Sequence, residues 1–130
     1  MRYLLDTHVW IWSIDAPERM AEPIRDIIED ASNELILSSI TFWETQLLHE
    51  HGRVSGGGDV RLWIDFALHE YPIREIPIDR RIAVESRLLA IDTADPADRF
   101  IAATARLHDA VLLTHDEALR RAVSVPTIDF

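Results

Sequence analysis

A chain of 130 residues with 23 Asp or Glu against 13 Lys or Arg carries a formal net charge of −10, and its length suits one hydrophobic core better than two. All 13 basic residues are Arg, and there is no Cys, which excludes a Walker A phosphate loop, Schiff-base chemistry, a thiol nucleophile, a disulfide framework and a thiolate zinc site. The acidity argues against a nonspecific nucleic-acid coat, which relies on basic surface, but not against a nucleic-acid enzyme with a metal-loaded acidic pocket.

Tyr3, Leu4 and Leu5 form an apolar run that stops at Asp6-Thr7, the pattern of a buried strand meeting a polar edge. Val9, Trp10, Ile11, Trp12 and Ile14 predict a short, largely buried helix ending near Ala16-Pro17, and Ile24, Ile27 and Ile28 predict an amphipathic helix over Pro23 to Ala31. A second strand, Leu35 to Leu37, meets Ser38-Ser39 and is followed by a helix carrying Phe42, Trp43, Leu47 and Leu48. Every glycine lies between Gly52 and Asp59, which reads as a flexible loop.

Leu62, Trp63, Phe66 and Ala67 mark a further helix closed before Pro72, and Ile73 to Ile78 reads as a short strand, placed at an edge by Pro77. Arg80 to Leu89 reads as helix. Asp95-Pro96 is a helix start, with Asp at the N-cap and Pro at the first helical position, leading into Phe100 to Leu107. Val111 to Leu113 predicts another buried strand ending at Thr114-His115-Asp116, then a helix from Glu117 to Ala122 and a last short strand near Val125. The alternation predicts a three-layer α/β fold over residues 1–130 as a single domain: a mostly parallel sheet of about five strands with helices on both faces.

Ligands in open α/β sheets collect outside the carboxyl ends of the strands. Asp6, Glu44, Asp95, Asp98 and Asp116 all map to that edge. Each has a structural reading: Thr41-x-x-Glu44 has capping-box spacing, Asp95 and Asp98 occupy cap and third helical positions, and Asp6 or Asp116 can cap the helix that follows. Together they point further, because carboxylates about 4 Å apart repel by a few kcal/mol at an effective dielectric of about 20, so convergence requires protons or cations. Arg99 is the only basic residue beside the Asp95-Pro96-Ala97-Asp98 motif. Oxygen ligands without Cys favour Mg²⁺ or Mn²⁺, and such a site suits hydrolysis of a phosphodiester by a metal-activated water.

Asp6-Thr7-His8-Val9-Trp10, Ser39 to Glu44, Asp95 to Ala105 and Leu113-Thr114-His115-Asp116 resemble the PIN domain, and within it the VapC ribonuclease toxins of bacterial toxin–antitoxin pairs. The resemblance implies a PIN fold, a Mg²⁺- or Mn²⁺-dependent endoribonuclease acting on RNA, a homodimer, and a small antitoxin whose tail occupies the acidic groove. Carried onto this chain, it implies an acidic quartet of Asp6, Glu44, Asp98 and Asp116. Asp6 and Asp98 would be the direct metal ligands, Glu44 would hold metal or orient water, and Asp116 would complete a second metal position. Thr114 would hydrogen-bond a metal-bound water, and Asp95 is a further water- or substrate-orienting candidate. Thr93 departs from the family, whose members often carry His there.

Other features have plainer readings. His49 and His51 are two apart and share no helix face. His8 and His115 are read as packing or surface residues beside the acids, and the four Trp as core or interface residues rather than an RNA-stacking platform. Arg53, Arg61, Arg80, Arg81, Arg120 and Arg121 are read as solvated. Neither a signal peptide nor an apolar run of about 18 residues is present, giving a cytoplasmic expectation. The competing reading is a catalytically silent module whose acidic edge receives an Arg-bearing partner.

Overall fold

The computed structural model describes residues 1–52 and 58–130; most of the glycine-rich segment expected to be a loop lies outside the described residues. Four strands, β1 (Arg2–Leu5), β2 (Glu34–Ser38), β3 (Arg74–Ile76) and β4 (Val111–Leu113), form one sheet in the order β3-β2-β1-β4. All neighbours are parallel, with Leu4 opposite both Ile36 and Leu112. Each parallel pair needs a crossover, and the helices provide them: α1 (Thr7–Asp15), α2 (Glu22–Glu29), α3 (Ile40–Glu50), α4 (Val60–Glu70), α5 (Arg80–Leu88), α6 (Pro96–Leu107) and α7 (Glu117–Arg121). The expected fifth strand near Val125 is reduced to a single bridge between Thr127 and Leu112, beside Leu112 N–H donating to Pro126 C=O at 2.8 Å.

Side chains of a strand alternate between its two faces, and the strands supply two separate cores. Leu4, Ile36, Ile76 and Leu112 meet Ile82, Ile101 and Leu119 from α5, α6 and α7. Leu5, Leu37 and Leu113 meet Val9, Trp10, Ile24 and Ala67 from α1, α2 and α4. Both faces are therefore covered, which is why the strands read as continuous apolar runs. In α6 the run Ile101 to Ala105 is completely buried, and three of its five residues are Ala, which lets the helix pass close to its neighbours.

The strand order fixes where a site can form. The chain moves outward from β1 through β2 to β3, then returns to add β4 on the other side of β1. The crevice between β1 and β4 at their carboxyl ends is the topological switch point, the usual ligand position in this architecture.

Candidate functional site

Asp6 leaves β1 at that crevice, with its N–H donating to Leu113 C=O of β4 at 3.0 Å. It caps α1: Oδ1 accepts from Thr7 N–H at 2.7 Å, while Oδ2 accepts from Thr114 Oγ1 at 2.6 Å. Thr114 in turn accepts from Asp116 N–H at 3.0 Å, and Asp116 caps α7 through Leu119 N–H at 3.0 Å. The Thr114 hydroxyl thus ties the two strand-end acids together. Its one proton is committed to Asp6, so a hydrogen bond between this hydroxyl and a water would have the hydroxyl as acceptor.

Glu44 reaches the crevice from α3. The capping box suggested by Thr41 and Glu44 is not formed: the residue before the helix is Ser39, and the Thr41 hydroxyl instead meets Thr7 Oγ1 at 3.1 Å beneath the acids. Asp95 caps α6 as expected, accepting from Ala97 N–H at 3.0 Å, and Asp98 stands in the first turn. All five acids line one cavity of about 320 Å³. Glu44, Asp95 and Asp98 approach most closely, each offering an oxygen within 4.8 Å of the others. Asp95, expected as a water- or substrate-orienting residue, thus stands among three acids whose spacing could hold a metal ion.

The electrostatics record this crowding. The Asp98 carboxyl is pushed up to about 8, first by burial and then by Asp6, Asp95, Asp116 and Glu44. Burial also raises Asp6, against the hydrogen bonds from Thr114 and Thr7. Glu44 is raised by burial and by the charges of Asp6 and Asp95, with the Thr7 hydroxyl opposing. Glu44 Oε1 is buried without a hydrogen-bond partner, and a buried acceptor left unsatisfied is costly. A hard divalent cation fits this set: it supplies the missing partner, accepts an all-oxygen donor group and offsets the mutual repulsion.

Arg99 does not neutralise the acids. Its guanidinium donates to Ser86, Leu89 and Thr93 carbonyls at 2.7, 2.8 and 2.9 Å, and more weakly to Arg87 and Ile91, clamping the connection between α5 and α6. Thr93, where the family often has His, accepts from Asp95 N–H at 3.2 Å and so helps set the turn before the cap.

The aromatic residues divide. Trp10 is buried, with Phe42 and Trp63 packed edge-on against it, as expected for core, while Trp43 is exposed. Trp12 packs against the same core and also lines the cavity, as do His8 and His115. The sequence signal was available: Trp12 lies four residues after His8 and thus on the same helix face, just beyond Asp6. His115 Nε2 accepts from Ala21 N–H at 3.2 Å, which places the proton of the neutral ring on Nδ1. Burial and Arg120 hold the ring's pKa below the usual histidine range.

A model of the PIN domain matches residues 3–124. Over 118 residues the chain is 35% identical to ribonuclease VapC22 of Mycobacterium tuberculosis (strain ATCC 25618 / H37Rv), covering 90% of this chain and 88% of that one. Its fold is similar to a chain of VapBC2 from Rickettsia felis bound to a promoter DNA fragment, with TM-score 0.69, 18% identity and 98% of each chain covered. It is also similar to FitAcB from Neisseria gonorrhoeae, with TM-score 0.62, 25% identity and coverage of 99% and 97%.

Proposed function

The chain belongs to the PIN-domain family, and we propose that it is a Mg²⁺- or Mn²⁺-dependent endoribonuclease, the toxin of a toxin–antitoxin pair. The observation that carries this reading is convergence. Carboxylates from four separate segments surround one cavity at the switch point, and one of them presents a buried oxygen with no protein partner. The 35% identity to a ribonuclease supports the same activity.

In this reading Glu44, Asp95 and Asp98 hold the cation with Asp6, and Asp116 borders a second position. A bound divalent cation acidifies a water for attack on the phosphodiester and stabilises charge on the leaving oxygen. The chain's own contributions are positional. Thr114 fixes Asp6 by its hydroxyl, the N-termini of α1, α6 and α7 set the acids on rigid elements, and Glu44 is held half-buried facing Asp6 and Asp95. With the site loaded, an RNA phosphate meets far less negative charge than the formal −10 implies.

RNA incubated with the protein and Mg²⁺ or Mn²⁺ should be cut, and Asp6→Ala and Asp98→Ala should abolish cutting without unfolding the chain. Retained cleavage in both variants would overturn the reading. Calorimetry separates the silent acidic module, which takes up neither Mg²⁺ nor Mn²⁺ through these acids.

The acidic cavity also suits an Arg-bearing tail, so we assign a small antitoxin as the protein partner; such a tail should displace Mn²⁺ and inhibit cleavage. A homodimer is supported by large apolar residues exposed on helices, Leu62 and Phe66 on α4 and Val84 and Leu88 on α5. Among the described residues no helix is long and apolar enough to cross a membrane, and we place the protein in the cytoplasm.

A further inference from the structure

Beside the carboxylates the cavity wall changes character. His8, Trp12 and His115 line it, and Phe130 extends them into a continuous run of rings. Centroids are 5.7 Å apart for His8 and Trp12, 5.3 Å for Trp12 and His115, and 5.1 Å for His115 and Phe130. Two guanidinium groups lie on these rings, Arg19 at 4.8 Å over Trp12 and Arg120 at 3.9 Å over Phe130.

Neither arginine pairs with an Asp or Glu side chain among the described residues, whereas Arg2, Arg61, Arg74, Arg106 and Arg121 all do, and Arg120 donates to the Phe130 backbone oxygen at 3.3 Å. Their charge is left for an outside anion, next to a site where an anion must be received. The rings are not fully buried: Trp12, which also packs against the core formed with α1, α2 and α4, and His115 are half-buried, His8 is exposed, and Phe130 keeps 43% of its surface in solvent. His115 Nδ1 and Arg120 Nε are also buried without an acceptor, so this wall holds donors that the chain itself does not satisfy.

Aromatic faces stack on any base, and arginines interleaved with them follow the backbone of a single strand. A duplex keeps its bases stacked on one another and offers no free face. We propose that Trp12, His115 and Phe130, with Arg19 and Arg120, form a stacking subsite for the nucleotide adjoining the scissile phosphodiester of a single-stranded RNA. The subsite rests on the nuclease reading for the reaction it serves, but its binding is measurable separately.

The test compares wild type with Trp12→Leu, Phe130→Ala and Arg120→Gln, using Arg74→Gln at the opposite edge of the sheet as the charge control. With a labelled single-stranded oligoribonucleotide and Mn²⁺, each subsite variant should raise KM about tenfold, in line with the loss of one stacking or cationic contact. Turnover should stay within about twofold, Phe130→Tyr should restore KM, and Arg74→Gln should leave it unchanged. Binding is read by anisotropy in an Asp98→Asn background, where Kd should rise by the same factor. Thermal unfolding checks the fold, and if Trp12→Leu fails to fold, Phe130→Ala and Arg120→Gln decide.

Unchanged KM and Kd in those variants overturn the subsite while leaving the nuclease reading intact. A lower KM in Phe130→Ala also overturns it, marking that ring as a cover over the site. A wild type that binds the oligonucleotide through these residues but never cuts it keeps the subsite and removes the nuclease reading. If the wild type neither binds nor cuts, both fall.

Discussion

Asp98 is where the charge of the site concentrates, because four other acids face a carboxyl that burial already disfavours as an anion. Asp98→Asn removes that repulsion and keeps the shape. The metal-free variant should therefore melt at a higher temperature than wild type, while its Mg²⁺-dependent RNA cleavage falls to background; a lower melting temperature would contradict the crowding. Thr114 acts through Asp6 rather than on substrate. Thr114→Val leaves Asp6 Oδ2 without its buried donor and should lower cleavage and Mn²⁺ affinity by about 10- to 100-fold, with Thr114→Ser recovering most of both. Among single residues, Asp6, Asp98 and Asp116 were legible because each directly follows a strand or opens a helix. Trp12 was legible only through its spacing from His8, since its apolar character in a short buried helix looks the same whether it faces core or cavity.

At the level of elements, the start of α6 joins stability to the site. Asp95 caps the helix with one oxygen and belongs to the closest group of acids. Asn caps as well as Asp, whereas Ala does not, so Asp95→Ala should cost about 1 kcal/mol more in urea unfolding than Asp95→Asn. Both should weaken Mn²⁺ binding, because both remove the charge. Arg99 then holds this helix start against α5 through backbone carbonyls. Arg99→Met should destabilise the chain by roughly 2–3 kcal/mol, the scale of charged hydrogen bonds lost with their acceptors left behind, and a change below about 0.5 kcal/mol would show that water replaces the clamp. In sequence it is the only basic residue beside the Asp95-Pro96-Ala97-Asp98 motif. A helix turns about 100° per residue, however, so neighbours in sequence face different directions.

Across the whole molecule, the raised carboxyls make stability depend on pH and metal. Asp98 has a folded pKa of about 8 against an ordinary 3.8, so the folded state binds its proton more tightly than the unfolded chain. That contribution is complete below about 3.8 and is lost as pH rises through about 8; Asp6 and Glu44 act in the same direction. In EDTA the melting temperature should fall from pH 5 to pH 8 more steeply for wild type than for Asp98→Asn. Saturating Mn²⁺ should offset most of the fall at pH 8 and little at pH 5, because cation and proton compete for the same oxygens. Equal slopes for the two proteins would refute this account. The sequence by itself determined the alternation of strands and helices, the helix start at Asp95-Pro96 and the set of acids at one sheet edge, since these follow from local periodicity, capping and the common geometry of parallel sheets. Only the tertiary structure decided that Thr114 spends its proton on Asp6, that Asp95 joins Glu44 and Asp98, that Arg99 turns away, and that the rings of Trp12, His115 and Phe130 meet. Those contacts join residues up to 108 apart in sequence, Asp6 and Thr114, and side-chain direction across such separations is set by how the helices pack on the sheet.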